Sequence, residues 1–168
     1  MNVQEIKTVE QVDNKADRFD ALMCCVGHLL YEWSMLEKAL VDEIRRFRTK
    51  GGDTGTSLRI RSSATERLAE WRALLSRPAR RDQQLADEVA DLSSSFERLR
   101  RDRNLIAHHF EGAAEAADTR QPFITCGMPH AAGSGRDFAR ADLLGMIDQI
   151  RNCGARLTKL GAKVREES

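Results

Sequence analysis

Aromatic residues make up only 5 % of this 168-residue sequence. That scarcity argues against a β-sandwich or barrel and for helices filled with Leu and Ala. The four cysteines make no framework. Cys24 and Cys25 are adjacent while Cys126 and Cys153 stand alone, so there is no Cys-x-x-Cys pair and no zinc-ligand spacing. That pattern argues against a disulfide-stapled secreted domain, and reduced, partly buried thiols are expected. No apolar run approaches the roughly 20 residues that span a bilayer. The opening stretch, Met1 to Glu10, lacks a positive region followed by an apolar core, so no signal peptide is expected and the cytoplasm is the expected compartment. A phosphate-cradling loop is also missing, because Gly51-Gly52 precedes neither lysine nor serine at P-loop spacing. Ser93-Ser94-Ser95 has no nucleophile-elbow context. No metal and no cofactor is expected.

What is present is ordinary in amount and uneven in placement. Apolar residues are 41 % and charged residues 32 %, as in most globular domains. The length suits one core, with a loose segment over 1–12 and a single helical domain over 13–168. The net charge of +1 hides a strongly basic middle: residues 45–81 hold eleven Lys and Arg against three Asp and Glu. Such a patch attracts nucleic-acid phosphates or acidic segments of a partner, and it equally describes a solvated basic face.

Apolar spacing predicts an all-α fold, a four- to five-helix bundle with a loop or small β-hairpin excursion before the last helix. The first helix runs from near Asn14 to Arg48 on the stripe Leu22, Val26, Leu29, Trp33, Leu36, Leu40, Ile44 and Phe47. Lys50-Gly51-Gly52 ends it. Ser63 with Glu66 forms a capping box opening a short helix with Ala64, Leu68, Trp71 and Leu75 inward, stopped by Pro78. The third helix starts at Arg81 or Asp82 and reaches the Arg103 region, with Gly112 the first clear breaker. Residues 111–137 read as an excursion containing one β-prone run, Pro122 to Cys126. Phe138 and Leu143 suit a hydrophobic staple. The last helix then carries Leu143, Ile147, Ile150, Leu157 and Val164, with Gly154 and Gly161 on the same stripe. Trp33 and Trp71 read as core anchors. His28 reads as a helix histidine beside the core, and His130 has no ligand-spaced neighbour.

Arg103 breaks the third helix's pattern. Leu85, Val89, Leu92, Phe96 and Leu99 recur at steps of four and three, and Ile106 and Phe110 resume the rhythm beyond it. A guanidinium on a buried line costs several kcal/mol unless paired, so it has a partner or a task. Asn104, His108 and His109 follow at once, and Arg101 precedes. Asn104 and His108 share a helical face, whereas Arg103 and His108 stand about 140° apart around an ideal helix.

In this region the chain resembles the HEPN superfamily of small α-helical bundles. Three features carry the resemblance across about residues 20–160. They are Trp33-x2-Leu36-Glu37-x2-Leu40, Arg103-Asn104-x-Ile106-Ala107-His108, and a final helix opening Asp137-Phe138-x2-Ala141-Asp142-Leu143-Leu144. The residue after the histidine, often small in relatives, is His109 here, which leaves open which imidazole faces the site. Active members are metal-independent endoribonucleases of toxin–antitoxin and defence systems. The resemblance therefore implies RNA cleavage at a homodimer cleft by Arg103, Asn104 and His108, with His109 and Arg101 as alternates. An imidazole titrating at about 6.5 exchanges protons near neutral pH, and a guanidinium offers fixed donors to phosphate. The resemblance also allows a non-catalytic module that dimerises or docks an inhibitor or a nucleotidyltransferase-like partner. In that case Arg103 pairs with a carboxylate, Glu37 being the best placed, and Asn104 and His108 satisfy backbone groups at the helix end.

Overall fold

The computed structural model describes residues 3–50, 63–79, 82–127 and 135–167, with side chains in the first helix described from Lys15 onward. The chain is mainly helical, with four helices and one small antiparallel sheet among these residues. In order they are α1 (Val3–Lys50), α2 (Ala64–Ala79), α3 (Gln83–His108), β1 (Phe110–Glu115), β2 (Pro122–Gly127), β3 (Gly135–Ala139) and α4 (Arg140–Glu167). No described helix is long and apolar enough to cross a membrane.

Contacts divide the chain into two units. The first takes Met1–Tyr31 and Asp102–Ile147, and the second takes Glu32–Arg101 and Asp148–Ser168.

Every described element of the second unit is a helix. Trp33, Leu36, Leu40 and Ile44 of α1 are buried, together with Leu68, Trp71 and Leu75 of α2, at the spacing their sequence dictates. The capping box at the head of α2 forms: Glu66 N donates to Ser63 Oγ at 3.2 Å and Ser63 N to Glu66 Oε2 at 3.3 Å. Pro78 falls inside the last turn of α2 rather than ending it outright. Asp82 caps α3 by accepting from Leu85 N at 3.1 Å, and that bond holds its carboxyl below the usual range. The α3 seam Leu85, Val89, Leu92, Phe96 and Leu99 is buried as its spacing predicts. Phe96 meets Trp33 with ring centroids 5.0 Å apart, a tilted packing that rings favour. On α4, Gly154 lets Leu36 lie 3.7 Å from where a Cβ would be.

One fully buried carboxylate stands out. Glu43 of α1 is ion-paired with Arg46 and with Arg165 of α4, and a Cβ on Gly161 would land on its carboxylate. A charge this deep is tolerated only because guanidinium groups answer it.

The first unit holds the sheet. The expected loop or hairpin is a three-stranded meander in the order β1-β2-β3, antiparallel throughout. The β-prone run forms the central strand, alternating buried Pro122, Ile124 and Cys126 with half-buried Phe123 and Thr125. Register slips between Phe110 and Gly112, so Glu111 is the extra residue of a bulge. The third strand was unforeseen, and Phe138 on it is fully buried. Phe138 precedes the Ala139 cap and Leu143 follows in the first turn of α4, both buried, as a staple requires. Ala139 N donates to Asp142 Oδ2 at 2.9 Å, completing that helix start. Cys25, not Val26, takes the inward place on α1 between Leu22 and Leu29. All four cysteines are free, with Cys24 exposed and the other three buried.

Candidate functional site

Phe110 corrects the reading of the α3 seam. The helix ends at His108 and Phe110 opens β1, half exposed, so the apolar line stops at Ile106. The cause is non-local. His109 N still donates to Leu105 O at 2.9 Å in the helical pattern, while His109 C=O accepts from Gly127 N at 2.9 Å. The sheet thus takes over the carbonyl at the point where the helix would have needed the next turn.

This junction places the sequence-predicted residues. Arg103 and Asn104 are half-buried, His108 is exposed on the last turn of α3, and His109 is half-buried just beyond it. Arg101 is exposed. The helix is unbroken through His108, so Arg103 and His108 keep their separation of about 140° and do not converge within one chain. Asn104 lies one turn behind His108 on the same face. Arg101 lies two turns behind it, about 10 Å along the axis and within about 20° in angle. Arg101, Asn104 and His108 therefore form one face of α3, and Arg103 lies off it, on the line of Leu99 and Ile106.

The sheet clips onto this end of α3 through a pair that sequence reading did not single out. Arg136 on β3 is ion-paired with Asp102, and its guanidinium stacks 4.6 Å from the Phe138 ring centroid. The only signal was an acidic residue set among arginines. On β2, burial pushes the Cys126 thiol up, assisted by the carboxylates of Glu111 and Asp137. It stays protonated and inert near neutral pH.

Glu37, the expected carboxylate for Arg103, accepts from Trp33 Nε1 at 2.7 Å and from Arg67 Nη1 at 3.5 Å. Both donors belong to the helical unit. Within the basic 45–81 segment, Arg45 reaches Asp42 at 3.5 Å and Arg48 pairs with Glu70. Arg46 and Arg67 pair with Glu43 and Glu37. Arg59, Arg61, Arg80 and Arg81 of that segment lie outside the described residues, as does His130. Among the described residues no group of three His, Cys, Asp or Glu side chains could hold a metal ion.

No family model, no curated protein and no solved structure matches this chain.

Proposed function

We propose that this chain is a metal-independent endoribonuclease of the toxin or defence type, acting as a homodimer in the cytoplasm, with His108, Asn104 and the two arginines at its site. The observation that carries the reading is the exposed His108 imidazole at the end of α3, with Asn104 and Arg101 on the same face. In the reaction the RNA 2′-oxygen bonds to the adjacent phosphorus and the bond to the 5′-oxygen breaks. One imidazole takes the 2′-hydroxyl proton and a second returns a proton to the departing 5′-oxygen. A two-fold dimer carries two His108 side chains, which suits that exchange. Arg101 offers its guanidinium to phosphate from the same face, and Arg103 serves the His108 of the other protomer. His109 is the alternate imidazole.

The test is cleavage of RNA by the purified chain in EDTA, read as 2′,3′-cyclic phosphate and 5′-hydroxyl ends. His108→Ala should lower the rate by about 10²–10⁴-fold. Undiminished cleavage by a doubly substituted Arg103→Ala, His108→Ala chain discards the assignment.

One observation favours a second reading, a non-catalytic helical module that dimerises or docks an inhibitor or nucleotidyltransferase-like partner. Four arginines of the basic segment are already answered by carboxylates of the helical unit, which removes much of the charge that RNA would use. Under this reading binding to RNA shows little dependence on salt, and Arg103→Ala lowers thermal stability without touching any nuclease activity.

A further inference from the structure

The buried stripe of α1 follows one side of the helix, and the opposite side carries a second pattern. Asp20, Gly27, Tyr31 and Lys38 fall on a line diametrically across from Leu22, Leu29, Leu36 and Leu40, with Met23 and Met35 flanking it. All six positions lie on one unbroken helix and are exposed. The apolar members are large: Tyr31 is 59 % exposed, Met23 46 % and Met35 44 %. Gly27 has no internal reason to be glycine, because a Cβ there would meet nothing within 4 Å, and a mid-helix glycine weakens the helix.

We infer that this face of α1 pairs with the same face of a second copy of the chain, antiparallel about a two-fold axis level with Leu29. In that register two complementarities arise together, each twice. The Tyr31 ring enters the hollow over the copy's Gly27 and Asp20 meets the copy's Lys38, while Met23 and Met35 border the contact on opposite flanks. Moving the axis to Gly27 sets the two glycines level with each other, and moving it to Tyr31 sets two rings against each other. Either shift takes Asp20 away from Lys38. The Lys38 ammonium already serves Asp42 at 2.8 Å within its own helix and has further donors for a second carboxylate. Self-complementary knobs, hollow and charges are what an isologous interface requires.

Sedimentation equilibrium of the full chain tests this surface. The unaltered chain should be a dimer. Gly27→Met fills the hollow without an internal clash, so its far-UV circular dichroism should match and its dimer should weaken at least about tenfold. Asp20→Lys should weaken the dimer, and adding Lys38→Asp should restore it, a recovery that helix stability alone does not produce. An unaltered chain that stays monomeric at about 100 µM, a dimer indifferent to Gly27→Met, or no recovery in the charge-swapped pair each overturns the inference. Dimerisation through this face is independent of RNA cleavage, so loss of the nuclease reading leaves it standing.

Discussion

The two units of the chain divide its tryptophans from its described histidines. Trp33 and Trp71 both lie in the helical unit, whereas the described histidines His28, His108 and His109 all lie in the sheet-bearing one. The helical unit buries both tryptophans with Phe96 and a carboxylate answered by arginines. The sheet-bearing unit buries a single phenylalanine, Phe138, beside Ile124 and Cys126. Cohesion in the helical unit comes from seams that join residues far apart in sequence, such as Trp33 with Phe96 and Glu43 with Arg165, whereas the sheet-bearing unit adds strand pairing between near neighbours in the chain to its buried helical residues.

The largest test of this contrast removes one ring from each unit. Phe96→Ala and Phe138→Ala should each cost about 3–5 kcal/mol, because both rings are fully buried and neither site can collapse completely. Since α1, α3 and α4 each contribute to both units, unfolding should remain one transition. Tryptophan fluorescence and far-UV circular dichroism should therefore coincide in both variants. If Phe138→Ala lost ellipticity while tryptophan emission held, the units would be separate folding bodies.

A smaller effect sharpens the account of the helical unit. Gly161→Ala should cost about 2–3 kcal/mol although it adds one methyl group. That methyl would displace the Glu43 carboxylate, which can move only by leaving Arg165 and surrendering a partner in a fully buried place. The measurement is the urea midpoint. Gly154→Ala is the control, since its Cβ would find ordinary contact with Leu36 at 3.7 Å.

The contrast also explains what the sequence made legible. Seams on α1, α2 and α3 were readable because burial on a helix repeats every three or four residues, and the Ser63–Glu66 and Phe138–Leu143 signatures are local. Phe110 was misread because its spacing continues the seam, while Gly127, seventeen residues on, captures the adjacent carbonyl. Gly135–Ala139 gave no strand signal: only Phe138 has β propensity, and pairing with β2 supplies the rest. For the candidate site, the residue types and the angle between Arg103 and His108 were legible. The exposure of His108, the half-burial of Arg103 and the Arg136–Asp102 clip depend on where the sheet folds back, which no local pattern encodes.

The buried thiols give the smallest contrast, and one with a definite sign. Burial pushes Cys153 in the helical unit from 9.0 up to about 11, against a small opposing pull from Arg156. Its stabilising share is intact below the unfolded thiol's titration and is lost as pH rises, because above about 9 the unfolded chain sheds a proton that the native chain retains until about 11. The loss should reach about 3 kcal/mol, read as a falling urea midpoint. Cys153→Ala should flatten that slope. Cys126, raised by burial and then by Glu111 and Asp137, should leave a residual slope in the same direction. Thiol labelling of the native chain separates the two units further. Cys24 is exposed and should react first, with Cys126 and Cys153 protected. Faster labelling of Cys126 than of Cys153 would show the sheet opening ahead of the helices, and equal protection would tie both thiols to one global unfolding event.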